Sequence, residues 1–138
     1  MGWPLGAALG AKLAAPDKIV ISLIGDGGFL YGCPVSTLWA ASSYNAPFLT
    51  IIENNQSYKI TKGGIGTAYG KSTVSGEMGF EVGIDIKMPP DYTLIAKACR
   101  AYGQVVEDPS ELLSALKNAI DQVRMGKSAV LDVRQWDL

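Results

Sequence analysis

The side chains that could do chemistry in this chain fall in two short polar clusters, Gly25-Asp26-Gly27-Gly28 and Glu53-Asn54-Asn55-Gln56-Ser57. Each closes an apolar run, 19–24 in the first case and 48–52 in the second, with twenty-six residues between Gly27 and Asn54. Adjacent parallel strands of an open α/β sheet carry their carboxyl ends on one edge, where ligands bind. Asp26 and Asn55 are therefore expected to meet. One carboxylate, one amide oxygen and the carbonyls of a tight turn make a hard, oxygen-only site of low charge. Mg²⁺ takes about six oxygens in an octahedron, one or two from carboxylates and others from ligand phosphates. Glycines beside Asp26 have no Cβ, so their N–H groups can come close to a phosphate. The expected ligand is a magnesium diphosphate.

Positioning these clusters requires a regular frame. Residues 2–15 read as a helix with Gly2, Gly6, Gly10 and Ala14 along one side, suited either to tight packing within the domain or to a cofactor or partner subunit. Pro16-Asp17 breaks it, and 19–24 reads as a parallel strand covered on both faces. After the glycine turn, Pro34 opens a helix with Val35, Leu38, Trp39 and Ser42 on one face, and 48–52 completes a βαβ unit. Later, Asp91 is expected to cap a helix with Leu94, Ile95, Ala98 and Tyr102 inward and Gly103 as its C-cap. A short strand at 104–106 precedes the strongest local signal: Asp108 as N-cap, Pro109 next and Glu111 completing a capping box. Leu112, Leu113, Leu116, Ile120 and Val123 continue that helix, Gly126 ends it, and 129–133 is the last strand. The expected fold is α/β, a mainly parallel sheet with helices on both faces in a three-layer sandwich.

The stretch 56–90 is different: periodicity disappears and seven glycines appear in thirty-five residues. A loop of this length is expected to be either an exposed insertion or an active-site lid.

A GDG followed at this distance by a double asparagine resembles the cofactor motif of thiamine diphosphate (ThDP) enzymes. The opening Met1-Gly2-Trp3-Pro4-Leu5-Gly6-Ala7-Ala8-Leu9-Gly10-Ala11-Lys12 resembles the helix before that motif in acetolactate synthase-like members. The similarity runs over most of the chain, with 59–90 matching least. It implies a diphosphate-binding (C-terminal) domain, single over residues 1–138 and truncated at its N-terminus inside the first motif. By the same resemblance, Asp26 and Asn55 would ligate Mg²⁺ through side-chain oxygens and Ser57 through its carbonyl. Gly25, Gly27, Gly28 and Tyr58 would complete the cofactor contacts, the amides of Gly27, Gly28 and Tyr58 toward phosphate, while Asn54 fixes the turn. ThDP supplies an electron sink for making or breaking carbon–carbon bonds. The glutamate that activates it sits, in this family, in a separate pyrimidine-binding domain, usually of a neighbouring subunit. None of Glu53, Glu77, Glu81, Glu107 and Glu111 has a context to replace it, and Thr61 stands where decarboxylase-like members have a catalytic glutamate. No catalytic residue is assigned to the chain.

Bulk properties narrow the alternatives. The chain has 138 residues, 48% hydrophobic and 18% charged, with a net charge of −1. There is no basic patch for nucleic acid and no cationic run for a membrane surface. The apolar runs are shorter than the roughly 18 residues of a membrane span. No histidine is present, so imidazole base or metal chemistry is excluded. Cys33 and Cys99 stand apart and suggest neither a disulfide framework nor a metal pair, consistent with a cytoplasmic setting, an organelle being the other compartment open. The functional expectation is a ThDP and Mg²⁺ binding domain of an acetolactate synthase or decarboxylase type enzyme acting on small 2-oxo acids. Its partners would be a pyrimidine-binding domain or chain within a homo- or hetero-oligomer. The alternative is a non-catalytic binding or interaction module that retains the fold. An unrelated nucleotide-binding domain is disfavoured, since neither a G-x-G-x-x-G after the first strand nor a P-loop occurs.

Overall fold

The computed structural model describes residues 1–69 and 83–135. Its elements are α1 (Trp3–Ala14), β1 (Ile21–Gly25), α2 (Asp26–Tyr31), α3 (Pro34–Ser43), β2 (Leu49–Asn54) and α4 (Lys59–Tyr69). They are followed by α5 (Tyr92–Ala98), β3 (Tyr102–Val106), a 3-10 turn (Pro109–Glu111), α6 (Leu112–Arg124) and β4 (Ala129–Arg134). The four strands form one parallel sheet in the order β1-β2-β4-β3.

Alternation along the strands divides the core in two. Ile24, Ile52 and Val130 face a cluster built with Leu5, Phe29, Leu38 and Tyr92, beneath α1, α2, α3 and α5. Leu49, Ala129 and Leu131 face the opposite way, onto Ala115, Ala119 and Val123 of α6. Both faces of β2 and β4 are covered, which is why their sequences read as continuous apolar runs. β1 differs from the expectation, because it is an edge strand. Ser22 and Ile24 are buried, but Ile21 is 50% and Leu23 58% exposed on the face that α6 does not reach.

Local chemistry explains the helix ends. Lys12 is buried, and its ammonium donates to the carbonyls of Pro16 and Lys18 at 2.7 and 2.6 Å, tying down the turn that follows α1. The Asp91 carboxylate accepts from the amides of Thr93 and Leu94, capping α5, and the Thr93 hydroxyl beside it holds its pKa below the ordinary value. Asp108 accepts from Ser110 N–H, but the turn it caps is 3-10 before α6 begins at Leu112. Gly126 closes α6 with φ +87°, a left-handed conformation that suits glycine.

Several inward faces are rotated from the sequence reading. In α3 the buried residues are Pro34, Leu38 and Ala41, with Val35 and Trp39 outward. In α5 they are Tyr92, Thr93 and Ala96, with Leu94 outward, and in α6 Leu113 is outward. The inward places are shared by large and small side chains: Leu38 and Tyr92 fill the core beside Ala41 and Ala96. Gly6 and Gly10 of α1 have open space where a Cβ would be, so their side of the helix does not pack within the described residues. Gly103 is not a helix cap either; α5 ends at Ala98 with Cys99 as its C-cap, and Arg100 takes the left-handed conformation at φ +64°. Gly103 lies in β3, where a Cβ would come within 2.7 Å of the Thr93 carbonyl oxygen.

The stretch 56–90 is not one continuous loop. Residues Lys59–Tyr69 form α4, and Ser57 makes an antiparallel bridge with Asp85 through Tyr58 N–H to Ile84 O (2.9 Å) and Ile86 N–H to Gln56 O (2.8 Å). Helical spacing is hard to see there because Gly63 and Gly64 interrupt it and Ile60 is 95% exposed. Whether the middle of the stretch acts as a lid concerns residues 70–82, outside those described.

Because α5 rests on the bare backbone of Gly103, Gly103→Ala is expected to force helix and strand apart. The expected loss is about 1–3 kcal/mol of unfolding free energy, read by urea denaturation; an unchanged midpoint would contradict the close contact.

Candidate functional site

Register places the site. Ile24 pairs with Ile52 and Gly25 with Glu53, so β1 and β2 run out together, and Asp26 leaves one strand where Asn54 and Asn55 leave the other. A cleft of about 440 Å³ opens there. All of the predicted residues line it: Gly25, Asp26, Gly27 and Gly28 from the first strand end, and Asn55, Ser57 and Tyr58 from the second.

Asp26 is the first residue of α2, so the glycines form the opening turn of a helix directly after β1 rather than a separate loop. The first amides of a helix have no carbonyl behind them. One is used locally, Gly27 N–H donating to Asp26 Oδ1 at 2.9 Å. The other carboxylate oxygen, Oδ2, is buried and has no hydrogen-bond partner among the described residues. Burial pushes the Asp26 pKa up, against the lowering effect of nearby amides, and the Asp132 carboxylate adds to the rise. A buried carboxylate with one oxygen unmet is costly without a compensating charge.

The second wall is a chain of turns. Asn54 Oδ1 accepts from Gln56 N–H at 3.2 Å, and Asn55 Oδ1 accepts from Ser57 N–H at 3.0 Å. Gln56 sits between them in the left-handed region, at φ +54°. These are the side-chain-to-backbone bonds by which asparagine makes turns. An amide oxygen has two lone pairs, so the bond from Ser57 orients the Asn55 oxygen without exhausting it. In the bridge to Asp85, the hydrogen bonds are carried by Gln56 and Tyr58, leaving the carbonyl of Ser57 on the other side.

One expected contact is corrected. The Tyr58 amide donates to Ile84 O at 2.9 Å and is not free for a phosphate. Tyr58 enters the cleft through its ring instead: a Cβ on Gly27 would lie 2.2 Å from Tyr58 Cε1, so the ring covers the bare backbone of that glycine. Thr61, Lys59 and Glu53 also line the cleft, while Glu107 pairs with Arg134 and Glu77 and Glu81 lie outside the described residues.

Sequence reasoning missed two residues beneath the site. Asp132, on β4, is buried and accepts from Asn54 Nδ2 at 2.8 Å. Burial raises its pKa, while the bond from Asn54 and the Arg134 charge work the other way. The signal was present: Asp132 is the one charge inside the apolar run 129–133. Tyr92 follows the α5 cap, packs edge-on against Phe29 at 5.3 Å, and buries a hydroxyl that has no partner among the described residues. Burial first, and the Asp26 and Asp132 carboxylates next, keep that phenol protonated. No sequence pattern marks it.

No group of three or more His, Cys, Asp or Glu side chains that could hold a metal occurs among the described residues. The buried donor at the cleft is the Asp26 carboxylate, with amide and carbonyl oxygens around it and Glu53 exposed at the strand end. An ion bound there would complete its shell from backbone and ligand oxygens, as hard divalent cations do.

Comparison with known proteins gives this geometry a family. The thiamine pyrophosphate enzyme family, C-terminal TPP binding domain, matches residues 1–133. A probable acetolactate synthase large subunit of Methanococcus aeolicus is 32% identical over 121 residues, 88% of this chain and 18% of that one. A sulfoacetaldehyde acetyltransferase of Alcaligenes xylosoxydans xylosoxydans is 30% identical over 133 residues, 96% of this chain and 20% of that one. Among solved structures, the Rhodococcus jostii RHA1 thiamine diphosphate-dependent 4-hydroxybenzoylformate decarboxylase superposes with a TM-score of 0.77 at 31% identity, covering 98% of this chain and 23% of that one. The chain thus spans about a fifth of the length of these relatives. With a parallel sheet, a cleft at its carboxyl edge and a family match across nearly its whole length, this chain belongs to the thiamine pyrophosphate enzymes, as a C-terminal TPP binding domain.

Proposed function

We propose that this chain provides the diphosphate and Mg²⁺ half of the cofactor site in an enzyme that makes or breaks carbon–carbon bonds of small 2-oxo acids. The observation that carries the reading is Asp26 Oδ2, buried in the cleft beside Gly27 and Gly28 with no hydrogen-bond partner among the described residues. A divalent cation there would meet the unsatisfied oxygen and offset the burial of the charge. Asp26 and Asn55 would hold it through side-chain oxygens and Ser57 through its carbonyl, with diphosphate oxygens completing the shell. The first-turn amide of Gly28 would face phosphate. Bound ThDP supplies the electron sink; this chain's residues bind, orient and screen it from water.

The reaction type follows the relatives, whose names include an acetolactate synthase, an acetyltransferase and a decarboxylase. Among the described residues, the cleft contains one carboxylate besides Asp26, that of Glu53, an exposed residue at the strand end. The activating glutamate would come from a pyrimidine-binding domain or chain, within a homo- or hetero-oligomer. Calorimetric titration of the chain with ThDP, with Mg²⁺ and then with EDTA, tests the reading. Binding that requires Mg²⁺ supports it, and addition of a pyrimidine-domain chain should then restore turnover. Binding indifferent to EDTA would remove the metal assignment.

Two substitutions sharpen this. Asp26→Asn should abolish Mg²⁺-dependent binding and also raise the melting temperature of the ligand-free chain at neutral pH. The sign follows from the raised pKa. The folded state holds this proton more tightly than the unfolded one, so stability is full below the ordinary value of 3.8 and falls as pH rises through the folded value. The gain from Asn should accordingly shrink as pH falls toward 3.8, and a less stable Asn variant at pH 7 would contradict the account. Gly27→Ala should drive the Tyr58 ring off the turn and weaken ThDP binding by about tenfold or more, with far-UV circular dichroism unchanged.

A further inference from the structure

The hydrogen bonds behind the cleft run in one direction. Asp132 Oδ1 accepts from Asn54 Nδ2 at 2.8 Å, and Asn54 Oδ1 accepts from Gln56 N–H at 3.2 Å. A carboxylate only accepts, so the Asn54 amide has a single satisfactory orientation, nitrogen toward Asp132 and oxygen toward Gln56. If that amide flipped, its NH₂ would face the Gln56 N–H, two donors in opposition, and the left-handed turn at Gln56 would lose that bond and keep the one from Ile86 N–H to its carbonyl. Asp132 is itself braced, with Arg134 Nε 3.8 Å from its other oxygen and Arg134 in turn paired with Glu107. β4 also holds the same point through the backbone, Gln135 N–H donating to Asn54 O at 2.8 Å.

We infer that Asp132 is a positioning residue for the ion-binding turn: by fixing the Asn54 amide it sets Gln56, and through Gln56 it presents Asn55 and Ser57 to the cleft. It touches neither ion nor cofactor. Its position makes this economical, because β4 lies beside β2, with Asp132 in register with Ile52 and its side chain reaching Asn54 two residues further along. Asp132 bonds Asn54 and not a ligand, one step further out than the outer-shell partners whose loss typically costs about 10- to 100-fold in metal affinity, and like them it acts by holding geometry. The inference rests on the cofactor reading above only for its functional consequence; the turn itself can be examined without any ligand.

The test compares Asp132→Leu and Asp132→Ala, which remove the acceptor, the first without opening a cavity, with Asp132→Asn, which keeps an accepting oxygen for Asn54. In the ligand-free chain, amide hydrogen exchange is read at Gln56 and, as a control for folding, at Leu131. In the two acceptor-less variants Gln56 exchange should rise about tenfold or more while Leu131 stays protected, and Asp132→Asn should restore it. In parallel, the Mg²⁺ concentration needed for ThDP binding should rise about tenfold or more in Asp132→Leu and return toward wild type in Asp132→Asn. Wild-type exchange at Gln56 in Asp132→Leu would overturn the inference, as would an Asn variant no better than the Leu variant. Should the wild-type chain bind no ThDP, the cofactor reading falls, and the exchange comparison still decides the role of Asp132.

Discussion

The structure is arranged around a carboxylate that is buried before it has a full set of partners. Asp26 Oδ1 accepts from the amide of Gly27, and its other oxygen is unmet among the described residues. A fold optimised for its own stability would fill that place with an apolar or neutral side chain. Much of the surrounding architecture serves to keep the carboxylate where it is. The helix beginning at Asp26 fixes the backbone, Gly27 leaves room for the Tyr58 ring against the turn, and the Asn54–Asp132 pair holds the opposite wall.

The parallel sheet delivers these parts without a long-range search. β1 and β2 are in register at Gly25 and Glu53, and β4 runs beside β2, so three strand ends converge on one edge. The small inward residues, Ala96 in α5, Ala115 and Ala119 in α6 and Gly103 in β3, let helices lie close to that sheet. Close packing tolerates little displacement, and the strand ends are thereby held as rigid supports for turns that must be accurate.

Sequence reading found the strands and the two polar clusters because both are local signals. An apolar run ending in Gly-Asp-Gly or Asn-Asn is legible residue by residue. What it lost depended on neighbours far away in the chain. Which side of α3 or α5 turns inward depends on what packs against it, so Ala41 and Ala96 lie in the core beside Leu38 and Tyr92 while Trp39 and Leu94 face outward. Gly103 was read as a cap because nothing local reveals the Thr93 backbone above it. The Tyr58 amide was offered to a ligand because its partner, Ile84, lies twenty-six residues on, across a stretch with no readable period. Asp132 could have been found as a lone charge in an apolar strand, whereas the buried hydroxyl of Tyr92 left no trace in the sequence.

β1 carries a consequence of another kind. Its sequence, Ile21-Ser22-Leu23-Ile24-Gly25, has no proline and no charge, the features that usually blunt a sheet's margin, and Ile21 and Leu23 stand half out of the protein beside it. Among the described residues the outer edge of β1 pairs with no strand, and such an edge flanked by aliphatic side chains is a template on which another strand can add. A net charge of −1 supplies little repulsion to keep two such margins apart.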